Sequence, residues 1–134
     1  MNESGEMYLE TIYTLSKQLC VVRAVDIAKE MNFSKPSVTR ALNLLQEGGY
    51  IEKGKKSDIR LTEIGLKKAL SVCERHFTIA RFLEIVGVDC NNAQQDACRI
   101  EHIICEQTFD CIKEYVLNED SLKRNKNVVC INFD

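Results

Sequence analysis

Ser34-Lys35-Pro36-Ser37-Val38-Thr39-Arg40-Ala41-Leu42-Asn43-Leu44-Leu45 is the stretch that decides the fold class. Ser34 is suited to cap a helix. Pro36, the only proline in the chain, falls in the first turn, where its missing N–H costs nothing. Val38, Ala41, Leu42 and Leu45 recur at helical spacing and form a stripe to be buried, leaving Ser37, Thr39, Arg40 and Asn43 to face outward. Gly48-Gly49 stops the helix. Upstream, Ala24 to Met31 repeats the helical period through Val25, Ile27, Ala28 and Met31, and Asn32-Phe33-Ser34 makes a tight turn. Two short helices joined this way, the second opening with small polar residues and an arginine, match a helix-turn-helix. Its second helix enters the major groove by its N-terminal end, where Ser and Thr permit close approach and Arg40 can pair with a guanine edge or a phosphate.

Downstream, Tyr50-Ile51-Glu52 and Asp58-Ile59-Arg60-Leu61 read as two strands around the turn Lys53-Gly54-Lys55-Lys56-Ser57. A hairpin with Lys53, Lys55 and Lys56 at its tip, directly after a recognition helix, is a wing suited to grip phosphates. Toward the N-terminus, Leu9, Ile12, Tyr13 and Ser16 line a helical stripe, with Asn2 or Ser4 as the cap and Met7 and Glu10 one turn apart on a neighbouring face. The expected DNA-binding residues are therefore Ser34, Lys35, Pro36, Ser37, Thr39, Arg40, Lys53, Lys55 and Lys56.

The charge supports this once it is divided. The chain as a whole carries −2. Residues 1–70 hold 11 Lys/Arg against 9 Asp/Glu, whereas residues 71–134 hold 7 against 11. A local basic patch on an acidic protein binds DNA weakly unless a dimer doubles the patch or a cation cancels the acid. No apolar run approaches the roughly 18 residues needed to cross a bilayer. Met1 to Glu10 carries three glutamates and no basic residue, unlike a signal peptide. The expected address is the cytoplasm. Seven cysteines without a CxxC pair fit reduced thiols, most of them apolar fillers, better than a disulfide framework.

In the second half, Thr62 caps a long helix from about Glu63 through Val86 whose apolar residues cover more than one face, implying burial on several sides. A helix containing Ala93 to Cys105 follows, then a short one from Phe109 to Leu117, and Val128 to Phe133 alternates like one strand. Surplus apolar surface after a small DNA-binding unit suits a dimer interface. If the middle helix runs through His102, then Cys98, Glu101 and His102 stand at i, i+3 and i+4 on one face. Thiolate, carboxylate and imidazole together make a half-shell for a transition metal, although a core cysteine beside a surface Glu/His pair would look the same. There is no nucleophile–base pair and no phosphate-binding glycine loop, so an enzyme is not expected.

Together these motifs resemble the diphtheria-toxin-repressor and manganese-transport-regulator family of metal-dependent repressors. The resemblance runs from about Glu6 to Leu117. It rests on Glu6-Met7-Tyr8-Leu9-Glu10-Thr11-Ile12-Tyr13, Phe33-Ser34-Lys35-Pro36-Ser37-Val38-Thr39, Leu61-Thr62 followed by Gly65, Arg75-His76, and Asp96-Ala97-Cys98-Arg99-Ile100-Glu101-His102. It implies a mainly α fold: a winged helix-turn-helix DNA-binding domain over residues 1–70, with a small β-hairpin wing, then a helical dimerisation and metal-binding domain over 71–134. It implies that Met7, Cys98, Glu101 and His102 hold the primary ion, that His76 serves the neighbouring site, and that Glu10 matches a bridging carboxylate of the manganese-type branch. Two positions depart from the iron-type pattern: Ala80 stands for a carboxylate and Gln94 for a histidine. The second site is incomplete unless Glu10 substitutes.

The donor chemistry favours Fe(II) over Mn(II), with Co(II), Ni(II) and Zn(II) able to bind. The expected function is a cytoplasmic, homodimeric, Fe(II)-responsive repressor that binds a palindromic operator in double-stranded DNA. The rival expectation is a winged-helix regulator answering Mn(II), or a non-metal or redox signal through its cysteines.

Overall fold

The computed structural model describes residues 1–133, with side chains through Leu122. The chain divides into two compact units, Met1–Cys73 and Glu74–Asp134.

The first unit begins with α1 (Glu3–Gln18), where the Asn2 side chain accepts the Gly5 N–H at 2.9 Å as the cap. Tyr8, Leu9, Ile12 and Leu15 form its buried face. Next come α2 (Ala24–Met31) and α3 (Lys35–Glu47), joined by a turn in which Asn32 adopts a left-handed conformation (φ 55°) that asparagine tolerates well. Ser34 caps α3 as its sequence requires, accepting the Ser37 N–H, with Pro36 in the first turn. Val38, Leu42 and Leu45 are the buried side of α3. They pack with Leu9, Ile12, Ile27, Ile51 and Ile59 in one core. Each of the fully buried aliphatic side chains contributes about 1.5–3 kcal/mol relative to exposure. Val25, placed by periodicity on the apolar stripe of α2, is instead 49% exposed; only Ile27 is buried on that helix, which is too short to bury a full stripe.

Strands β1 (Ile51–Lys53) and β2 (Ile59–Leu61) pair antiparallel, with Ile51 opposite Leu61 and Lys53 opposite Ile59. The connection is a 3₁₀ turn, Lys55–Ser57, in which Lys56 and Ser57 both have positive φ. The base of the wing is fixed by Thr62. Its hydroxyl donates to the Gly49 carbonyl at 2.6 Å and accepts the Gly65 N–H at 3.1 Å, while its own N–H donates to the Tyr50 carbonyl. Gly65 sits against that same carbonyl so closely that a Cβ there would stand 1.9 Å from the oxygen. Helix-turn-helix, hairpin and the start of α4 (Glu63–Ile85) form the winged-helix architecture expected from the sequence.

α4 departs from expectation in its burial. Leu66, Leu70 and Phe77 share one stripe, yet all are exposed, Phe77 to 67%. Among the described residues nothing covers them.

The second unit comprises the later turns of α4 with α5 (Cys90–Ile100) and α6 (Glu106–Phe133). Its core is Ile79, Ala80, Ala97 and Phe109, with Leu83, Ile100 and Ile104 packed against it. The small Ala80 and Ala97 let helices approach closely. Arg81 donates two hydrogen bonds to Asp120, and Lys113 pairs with Glu74. Two sequence expectations fail here. α5 ends at Ile100, with Glu101 as its C-cap, rather than running to Cys105. The short helix and the alternating tail are one helix, α6, reaching Phe133; Glu106 to Phe133 contains no glycine or proline to interrupt it.

Candidate metal centre and nucleic-acid interface

In the second unit, α4 and α5 bring three donor types together. The ligating atoms of His76, Cys98 and Glu101 lie within 4.8 Å of one another. His76 lies on α4; Cys98 is in the last turn of α5, and Glu101 is its cap. The His76 ring is held on both edges, with Nδ1 2.9 Å from Glu101 Oε2 and Nε2 2.7 Å from Gln94 Oε1. The Cys98 side chain, then the Glu101 carboxylate, push the His76 pKa up to about 11, so the ring is protonated at neutral pH.

Glu101 is the most telling residue. It is 1% exposed, and its Oε1 has no hydrogen-bond donor; His102 Nε2 lies 3.1 Å away but outside hydrogen-bond geometry. A buried carboxylate oxygen left this way is costly, and a cation removes the cost. The His102 side chain is itself 1% exposed. Imidazole, thiol and carboxylate suit a first-row divalent ion. The residues present therefore fit a metal.

Because α5 stops at Ile100, His102 is not on a helical face with Cys98 and Glu101; it follows the cap, in a turn. Arg75 fixes that turn, donating to the carbonyls of Glu101 at 3.0 Å and Ile104 at 3.2 Å while stacking 5.2 Å from the Phe109 ring centre. In the sequence Arg75 stands out only as the neighbour of His76, and Gln94 only as a departure from the family's histidine. The signal for Gln94 was its i, i+4, i+7 spacing with Cys98 and Glu101 along α5. Ala80 is buried in the core, so α4 offers no carboxylate four residues beyond His76. Met7 and Glu10 lie in the first unit, one turn apart on α1.

In the first unit, Ser34, Lys35, Pro36, Ser37, Thr39 and Arg40 are all exposed at the start of α3, as are Lys53, Lys55 and Lys56 on the wing. Lys35, Pro36, Thr39, Arg40 and Asn43 line one open depression on the outer side of α3. Within this set, the Ser34 hydroxyl is engaged with Ser37. The Lys53 ammonium donates to Asn43 Oδ1 at 2.8 Å, tying the wing to the recognition helix.

A winged helix followed by a helical unit carrying a His/Cys/Glu cluster defines a metal-responsive DNA-binding regulator. Comparison with known proteins agrees. Residues 1–59 match the N-terminal DNA-binding domain of the iron-dependent repressors, and residues 62–121 match their metal-binding and dimerisation domain. This chain belongs to that family of DNA-binding transcriptional regulators, which are not enzymes. It is 31% identical to an HTH-type transcriptional regulator of Methanocaldococcus jannaschii, covering 87% of this chain and 94% of that one. It is 32% identical to the regulator MntR of Listeria innocua, over 93% and 91% of the two chains. A solved structure of ScaR with bound Zn2+ superposes with a TM-score of 0.73 at 25% identity, covering 84% of this chain and 53% of that one. The chain spans about half the length of the diphtheria toxin repressors it also matches, 47% for that of Corynebacterium diphtheriae.

Proposed function

We propose that the protein is a homodimeric repressor that binds a palindromic operator in response to Fe(II). The observation that carries this reading is the convergence of His76, Cys98 and Glu101, with a buried Glu101 oxygen that lies 3.1 Å from His102 Nε2 but accepts no hydrogen bond among the described residues. A thiol and two imidazoles make the donor set softer than an all-oxygen shell, which favours Fe(II) over Mn(II) and admits Co(II), Ni(II) and Zn(II). His76, Cys98, Glu101 and His102 would hold the ion, which would supply positive charge beside the Glu101 carboxylate. Met7 and Glu10 are assigned to the metal on the family resemblance.

The recognition helix contributes Lys35, Pro36, Ser37, Thr39 and Arg40 to the major groove, with Ser34 setting its start, and Lys55 and Lys56 grip phosphates. The exposed stripe Leu66, Leu70 and Phe77 supports a partner copy, whose two-fold symmetry places half-sites about 34 Å apart. Metal affinity differs between DNA-competent and incompetent states; otherwise occupancy would shift nothing. Among the described residues no helix is long and apolar enough to cross a membrane, and action on DNA assigns the protein to the cytoplasm.

The test is selection of DNA from a random-sequence pool under anaerobic conditions, with Fe(II), with Mn(II) and without metal. Recovery of a palindrome with Fe(II) alone, lost in Cys98→Ala and His102→Ala, is the expected result. Recovery of the same sequence at equal affinity without metal overturns the proposal. Recovery with Mn(II) but not Fe(II) overturns the choice of ion.

A further inference from the structure

We propose that Gln94 is a positioning residue: it holds the Nε2–H of His76 and so commits Nδ1 of that ring to the cation side, facing Cys98 and Glu101. The inference rests on the reading of this cluster as a metal centre. It goes further by naming which nitrogen is the ligand, what selects it, and on which side of His76 the ion sits.

The argument starts from what each partner can do. Without metal both ring nitrogens face an oxygen acceptor, Nε2 at 2.7 Å from Gln94 Oε1 and Nδ1 at 2.9 Å from Glu101 Oε2. The Gln94 amide is the uncharged one, and the hydrogen it accepts is the one that would stay when a cation takes the carboxylate side. A neutral imidazole with hydrogen on Nε2 has its lone pair on Nδ1. That atom lies 2.9 Å from Glu101 Oε2, within the group that also contains Cys98. Gln94, Cys98 and Glu101 follow one another at i, i+4 and i+7 along α5, so one helix supplies both the orienting acceptor and two donors.

The choice of glutamine matters because it has no charge and does not titrate. A carboxylate in its place would draw a second cation or a proton to the Nε2 edge. The other potential source of such a carboxylate, four residues beyond His76 on α4, is Ala80, 2% exposed and packed with Ile79, Ala97 and Phe109. The Nε2 edge of His76 is thus built to keep its hydrogen. Orienting partners of metal-bound histidines set tautomer and ring angle, and their loss costs 10–100-fold in metal affinity.

The test uses the full chain and Zn(II), a diamagnetic probe. Long-range ¹H–¹⁵N correlation spectra of histidine-labelled protein should show that Zn(II) shifts His76 Nδ1 to the metal-bound range while Nε2 stays protonated. Gln94→Met, similar in shape but without an acceptor, should weaken Zn(II) binding by about 10–100-fold and lose the single tautomer. Gln94→Glu restores an acceptor and, at no more than one equivalent of Zn(II), should restore the Nε2–H signature. Gln94 is exposed, so neither variant disturbs the core. If Zn(II) binds through Nε2, or Gln94→Met keeps both affinity within twofold and the tautomer, the positioning role is overturned while the metal centre stands. If Zn(II) leaves both His76 nitrogens unshifted, the reading of the cluster as a metal centre falls with it.

Discussion

Replacing Gly65 with alanine tests whether the wing is held where the structure puts it. The added Cβ would stand 1.9 Å from the Tyr50 carbonyl oxygen and 2.9 Å from its carbon, against an ordinary carbon–oxygen contact of about 3.3 Å. The obstacle is backbone, so relief requires the start of the wing or the first turn of α4 to move by more than about an ångström. The same oxygen accepts the Thr62 N–H at 3.1 Å, and that bond is lost as the groups separate. Overpacking of this kind costs about 1–3 kcal/mol, and the hydrogen bond about 1 kcal/mol more. With roughly 4–8 °C per kcal/mol for a unit of this size, a loss near 3 kcal/mol lowers Tm by roughly 12–24 °C. Gly49→Ala is the comparison. Gly49 has φ +81° with nothing within 4 Å of a Cβ, so only backbone strain of roughly 1–2 kcal/mol applies. Urea unfolding of the metal-free protein measures both. If Gly65→Ala costs less than about 1 kcal/mol, or no more than Gly49→Ala, the close approach of Gly65 to Tyr50 does not fix the wing. Below its unfolding transition Gly65→Ala should also bind DNA more weakly, with the metal affinity of the second unit unchanged.

Other outcomes follow from the second unit and the wing. The folded His76 pKa of about 11 lies above its ordinary value near 6.5, so the stabilisation that protonated His76 gains from Cys98 and then Glu101 is complete below pH 6.5 and disappears as pH rises through 11. Metal-free protein should lose stability across that window; denaturant midpoints that rise with pH would refute it. Zn(II) binding at pH 7 should correspondingly release a proton, measured in weakly buffered solution, and His76→Gln should reduce the release. Arg75→Met removes two charge-assisted hydrogen bonds to carbonyls, worth about 1.5–3 kcal/mol each, and should both destabilise the chain and weaken Zn(II) binding by calorimetry. Cys105 is held below the usual thiol range by the Thr108 hydroxyl and neighbouring backbone N–H groups, whereas Glu84 pushes Cys90 up; both are exposed, so iodoacetamide should label Cys105 first by mass spectrometry.

The winged helix was legible because its signals are local. Ser34, Pro36, the Val38–Leu45 stripe and the Gly48-Gly49 stop all act within a few residues of themselves. The end of α5 was not. Nothing in Ala97 to Cys105 breaks a helix, and the residue that holds the turn, Arg75, lies 26 positions from Glu101. Periodicity therefore placed His102 on a helical face it does not share. Lys53 shows the same limit in another form: its basic character suggests a phosphate contact but does not announce its hydrogen bond to Asn43, ten residues earlier. For the apolar stripe on α4 the pattern was visible, but whether the chain itself or a second copy buries it depends on what is available to pack there.

The termination of α5 before His102 also bears on which ions the cluster tolerates. His76 and Cys98 are mounted on helices whose spacing is set by the close packing of Ala80 and Ala97, so the gap between them is stiff. His102 follows the cap in a turn that Arg75 secures through two carbonyls, and its side chain is closed in by its neighbours. In the proposed centre, helices would set His76 and Cys98 while a turn alone would set His102, leaving the choice among cations to donor softness and to cellular supply.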